Sequence, residues 1–157
     1  MKIDMRHRTL ACCLVLLSAT QEAHSEESFK PLLEIIEDEA SLVTMTHATE
    51  RCTAIYQTLA GRARNRTDNS DGEAFAIQAD ELGMEFFQYA VHMRHMYNGR
   101  EDSDIGLSLN EAIEMVQSQA YRYASLMNEE YLRSGNSISR EIQSDMDACM
   151  MILNFFR

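Results

Sequence analysis

In the stretch Met45-Thr-His-Ala-Thr-Glu-Arg-Cys-Thr-Ala-Ile-Tyr-Gln-Thr-Leu59, apolar side chains recur at Met45, Ala48, Cys52, Ile55 and Leu59, three and four residues apart in alternation. That spacing is a helical seam, one apolar stripe carried along one face. The same signature returns three times. Phe75, Ala79, Leu82, Phe86, Tyr89, Met93 and Met96 form a second seam, and Ala112, Val116, Ala120, Tyr123, Met127 and Tyr131 a third. The fourth runs Ile138, Ile142, Met146, Cys149, Leu153 and Phe156, with Ile152 beside it. Four amphipathic helices joined by short connections predict an all-α, single-domain up-down four-helix bundle.

Local signals mark the ends. Ser28 as cap and Pro31 in the first turn open a helix. Its apolar set, Leu32, Ile36 and Val43, lies about 160° away from the Cys52 seam at about 100° per residue. A kink or break is therefore expected near Ser41 to Thr46. Gly61 to Gly72 reads as a loop, Asn98-Gly99 as a helix end, Ser108 with Glu111 as a capping box, and Ser134 to Ser137 as a short turn. Asp68, Asp71 and Glu73, like Glu101, Asp102 and Asp104, gather where a helix N-terminus favours negative charge.

Composition agrees. Among 157 residues there are 6 Gly and 1 Pro, too few for a turn-rich β-sandwich or barrel, and 45% are hydrophobic, enough to build a core. With 14 Lys plus Arg against 25 Asp plus Glu, the formal net charge is -11. Nucleic acid and anionic membranes reward basic residues, so neither is expected as the main partner.

Lys2, Arg6 and Arg8, then the apolar run Leu10 to Leu17, then Ser18, Ala19, Ala23 and Ser25, follow the order of a secretory signal peptide. Residues 1–25 are read as that signal, cleaved after Ala19 or Ser25, and residues 26–157 as the helical bundle domain. The run falls short of the roughly 20 apolar residues needed to span a bilayer, so no membrane span is expected. The product is therefore expected to be exported, periplasmic or extracellular. Cleavage after Ala19 removes three bases and one acid and brings the charge to -13; cleavage after Ser25 also removes Glu22 and brings it to -12. Cys12 and Cys13 leave with the signal. Cys52 and Cys149 remain, each in the middle of a seam, and in an exported chain they are expected to form a disulfide between the first long helix and the last.

Candidate chemistry is sparse. In His92-Met-Arg-His-Met96, the side chains of His92, His95 and Met96 fall three and four residues apart, and imidazole with thioether suits copper, or zinc on the imidazoles. The competing account places His92 and His95 on a solvated stripe with Glu81, Glu85 and Gln88. An enzyme built on Glu81, Glu85 and His92 lacks a partner from another helix. The chain has no Glu-x-x-His for a dimetal centre, no Cys-x-x-Cys-His for haem, and no Walker, Gly-x-Ser-x-Gly or His-Glu-x-x-His motif. Asn69 to Gly72 fails as a calcium loop because Gln78 falls where a bidentate Glu belongs. Arg62, Arg64 and Arg66 form the one basic cluster after the leader, a candidate interaction site, and Asn65-Arg66-Thr67 is a formal glycosylation sequon. Tyr121, Arg122, Tyr123 and Tyr131 are a candidate recognition patch.

The expectation is an exported, soluble, non-enzymatic module with no cofactor, acting by protein binding or self-association as a homodimer, toward a basic partner. The alternative is a copper or zinc storage bundle using His92, His95 and Met96.

Overall fold

The computed structural model describes residues 30–38, 41–66 and 70–157, without the side chains of Asp38, Arg66 and Ser70. The leader reading, Ser28 and Asp68 lie outside the described residues. The described residues form an all-α helical bundle. Its elements are α1 (Leu32–Asp38), α2 (Leu42–Arg66), α3 (Ser70–Tyr97), a 3₁₀ turn (Asp102–Asp104), α4 (Ile105–Ser134) and α5 (Arg140–Phe156).

Ion pairs give the directions. Glu50 meets Arg94 and Arg64 meets Asp80, so α2 and α3 are antiparallel. Arg51 reaches Tyr123 and Arg62 reaches Asn128, which sets α4 alongside α2 in the same direction. α5 lies across them. Asp145 in its second turn meets Tyr123 of α4, its middle is bonded to α2, and Arg157, just past its C-terminus, pairs with Glu85 of α3. The bond is Cys52–Cys149, with an S–S distance of 2.06 Å and 97 positions of chain between the two cysteines.

The expected break falls at the N-terminal edge of the Ser41 to Thr46 stretch. α1 ends at Asp38 and α2 starts at Leu42. Ser41 sets this start, since its Oγ accepts from the Thr44 N–H at 3.2 Å and its carbonyl accepts from Met45. Thr46, Thr49, Thr53 and Thr58 then turn their hydroxyls back onto carbonyls of the preceding turn, which lets them be carried inside a helix.

Three local expectations are corrected. The loop from Gly61 to Gly72 is helical over most of its length, because α2 continues to Arg66 and α3 starts at Ser70. Arg62, fixed to Asn128 and Ser137, ties that last turn of α2 to α4 and the turn beyond it. Ser108 and Glu111 do not form a capping box, since α4 begins three residues before Ser108, with Asp104 in the cap position. On α3 the seam is rotated. Phe75 is 44% exposed and Met96 is exposed, whereas Ala76, Ala79, Gly83, Phe86 and Ala90 face inward. A Cβ on Gly83 would lie 3.3 Å from Gln57 Cγ, so the small residues are what let α3 approach α2 closely. The ends at Gly99 and Gly135 fall as expected, both at positive φ, where glycine has no Cβ penalty.

Candidate functional site: an apolar groove backed by a buried ion pair

Where α5 crosses the bundle, a groove of about 560 Å³ opens between four helices. Leu33 and Ile36 of α1 form one wall, Leu42 and Met45 of α2 with Met93 of α3 form the floor and far side, and Met151, Ile152 and Phe155 line it from α5. Among the described residues, Ser41 is the one polar member of the lining. Phe155 is 81% exposed and Met151 60%, with Met150, Leu42 and Val43 also exposed nearby in sequence. A fully buried Phe or Met side chain is worth about 1.5–3 kcal/mol, so leaving several uncovered at one place is costly unless something binds there.

Behind the groove the same helix faces a polar cluster that is fully used. Asp145 is 1% exposed and Arg51 6%. Arg51 Nη2 donates to Asp145 Oδ2 at 2.5 Å, and the Tyr123 hydroxyl donates to the same oxygen at 2.6 Å. Asp145 Oδ1 accepts from the Leu32 N–H at 2.7 Å, and Arg51 Nη1 donates to the Lys30 carbonyl at 3.0 Å. Burial pushes the Tyr123 hydroxyl above its usual range, so it stays a donor. Each partner satisfies another, which is the condition under which a buried charge is tolerated. The cluster also holds the start of α1, and hence one wall of the groove. Asp145 is one turn before Cys149 and Arg51 is next to Cys52, so the ion pair and the disulfide fix the same crossing.

Beside Arg51 on α2, Glu50, 1% exposed, accepts from Arg94 Nε at 2.7 Å. His47 Nδ1 lies 3.3 Å from the other Glu50 oxygen, which has no hydrogen bond among the described residues. Arg100 donates to Glu111 at 2.5 Å, and this hydrogen bond holds the Glu111 carboxyl below the usual range.

The sequence candidates separate in space. His95 does not share the solvated stripe with His92: it is 8% exposed and faces α4, with Nδ1 3.4 Å from Ser108 Oγ. His92 and Met96 are exposed. No group of three or more His, Cys, Asp or Glu among the described residues is arranged to hold a metal ion. Ser108, His95 and Asp102 do line up, with His95 Nε2 3.9 Å from Asp102 Oδ1. Ser108 is fully buried, however, and its Oγ accepts from Arg100 at 3.1 Å, so it offers no open face to a substrate. Of the arginine cluster, Arg62 is tied to Asn128 and Ser137, and Arg64 pairs with Asp80. The Arg66 side chain lies outside the described residues. The tyrosine patch is divided: Tyr123 is inside the ion-pair cluster, while Tyr121 is almost fully exposed.

Sequence reasoning missed the groove and the ion pair. For the pair a signal exists: an Asp at an inward position, four residues before an inward Cys, needs a buried cation. The groove has no such signal, because it depends on where α1 and α5 cross. Among the described residues, no helix is long and apolar enough to cross a membrane. No family model matches the chain, and no curated protein or solved structure shows significant similarity to it.

Proposed function

We propose that this protein is an exported, non-enzymatic binding module whose apolar groove receives an amphipathic helix bearing basic residues from a partner protein. The observation that carries this reading is the groove itself: about 560 Å³, with Ser41 as the one polar residue among the described residues that line it. An apolar stripe on a helix is a natural complement to such a trough. Met45, Met93 and Met151 supply flexible, polarizable contacts that adapt to side chains of different shape. Charge favours a basic partner. The chain carries a formal -11, and exposed Glu34, Glu37 and Asp147 adjoin groove-lining positions in the sequence. Opposite charges on a partner's polar face speed encounter and set its register. Export is supported by the leader pattern and by the disulfide, which persists in oxidising compartments.

The test uses a synthetic helical peptide with Leu on one face and Lys on the other, a twin with Glu in place of Lys, and a scrambled control. The Lys peptide is expected to bind with a Kd on the order of micromolar, about -8 kcal/mol, and the Glu twin at least about tenfold more weakly. Met151→Asp, at an exposed position, should remove binding while leaving thermal unfolding unchanged. Equal binding of the scrambled peptide would overturn the reading. So would a concentration-dependent dimer dissolved by Phe155→Asp, which assigns the groove to a second copy, or uptake of a fatty acid with none of the peptides.

A further inference from the structure

A second depression, of about 420 Å³, lies between the middle of α4 and the last turns of α2. Its floor is made by Gly61, Ala120 and Ala124, and a Cβ added at Gly61 would meet nothing within 4 Å. Tyr121 stands at its side, 79% exposed. The remaining lining is Gln57, Thr58, Arg62, Asn65 and Gln117. In a chain with 25 acidic residues, none of these nine is acidic.

We infer that this depression is a saccharide-binding site, with the Tyr121 ring as platform and the Gln57, Asn65 and Gln117 amides as hydroxyl partners. Each component matches a different part of a pyranose. One face of the sugar ring is a sheet of C–H groups, and a flat, solvent-facing aromatic is the surface that stacks against it. The ring's edge carries hydroxyls that both donate and accept, and a carboxamide does the same through one planar group. The side chains of Gln57, Asn65, Gln117 and Tyr121 hold no hydrogen bond to other described residues, so their donors and acceptors are available to a ligand. Arg62 is already positioned, donating to Asn128 at 2.6 Å and to Ser137 at 3.2 Å. Thr58 donates to the Ala54 carbonyl at 2.7 Å, which leaves its oxygen free to accept. Among the described residues the lining holds no carboxylate, which favours a neutral ligand that brings no charge to desolvate. The floor of Gly and Ala gives the sugar ring room to lie against helix backbone instead of side chains.

The site is separate from the apolar groove and does not depend on what occupies it. The test is a titration of the disulfide-bonded protein, followed by backbone amide NMR, with two probes: the β-1,4-linked tetrasaccharides of N-acetylglucosamine and of glucose. At least one probe is expected to cause saturable shifts confined to residues 57–65 and 117–124, with a Kd of about 1 mM or tighter. Tyr121→Ala should weaken that binding at least about tenfold, and Tyr121→Phe should retain it, since stacking needs the ring and not the hydroxyl. Tyr121 is exposed, so both variants are expected to fold, and unchanged amide spectra elsewhere check that they do. No saturable shift with either probe, shifts that map to the apolar groove, or unchanged affinity in Tyr121→Ala would each overturn the assignment.

Discussion

The two faces of α5 make opposite demands on the molecule. Inward, Asp145 and Cys149 are held by an ion pair to Arg51 of α2, two further hydrogen bonds from Leu32 of α1 and Tyr123 of α4, and a covalent bond. Outward, Met151 and Phe155 have few protein neighbours and are mostly exposed. A short helix whose inner face is fixed this strongly can present an adhesive outer face without collapsing onto it. Labour is thus divided between the two faces of one helix: the inner face sets where the groove is, and the outer face leaves it open.

The largest effect is expected at the inner face. Asp145→Ala leaves Arg51 buried without its carboxylate and should destabilise the fold by about 3–5 kcal/mol, read from the urea midpoint. Replacing both partners by apolar residues, Arg51→Met with Asp145→Leu, should cost much less, because no uncompensated charge remains. If single and double variants are equally destabilised, the ion pair is not what fixes the crossing. Next comes the disulfide. Reduction, or Cys52→Ala with Cys149→Ala, should lower stability by about 2–4 kcal/mol, with ~4.7 kcal/mol as the chain-entropy ceiling for a loop near 100 residues. Unchanged unfolding on reduction would contradict its role as a staple.

Smaller effects sharpen the contrast. Tyr123→Phe deletes two buried hydrogen bonds of the cluster, the donation to Asp145 and the acceptance from Arg51, and should cost about 1–3 kcal/mol in the same urea assay. Because burial raises the Tyr123 hydroxyl, the unfolded chain loses its proton first. Stability is therefore full below the ordinary tyrosine range near 10.0 and falls as pH rises above it, and ultraviolet titration should show this phenol ionising only with unfolding. Glu111 has the opposite sign. Arg100 holds it below its ordinary value, so its contribution is present at neutral pH and is lost as pH falls through the lowered value. Carboxyl NMR should show that depression abolished in Arg100→Gln. The outer face should give the smallest change of all: Met151→Ser is expected within about 0.5 kcal/mol of the parent, since its side chain is mostly in water.

Much of the fold is legible in the sequence because helical seams repeat a simple spacing. Cys52 and Cys149 sit on inward stripes, and Gly99 and Gly135 occupy positions that only glycine takes without strain. What the sequence hides has physical reasons. On α3 the most hydrophobic residues draw attention to Phe75 and Met96, yet the face against α2 is chosen by size, so Ala76, Ala79, Gly83 and Ala90 turn inward. Ser108 resembles a cap until the preceding turn is seen to be helical already, after which it is a buried hydroxyl serving Arg100 and adjoining His95. Tyr123 fits a seam equally well as a core aromatic or as a hydrogen-bond donor, and only the approach of Asp145 from α5 decides. The groove is the least legible feature, since its walls come from four helices whose crossing no local pattern encodes.

The most direct test of the proposed docking groove is methionine methyl NMR on the disulfide-bonded protein during titration with the Leu/Lys helical peptide. Met45, Met93 and Met151 line the groove, Met84 is exposed on α3 and does not line it, and Met127 is buried on α4. The Met45, Met93 and Met151 methyls are predicted to shift together with one affinity, while Met84 and Met127 stay in place. Shifts at Met84 as large as those in the groove, or no shift at the three groove methyls at saturating peptide, would contradict the account.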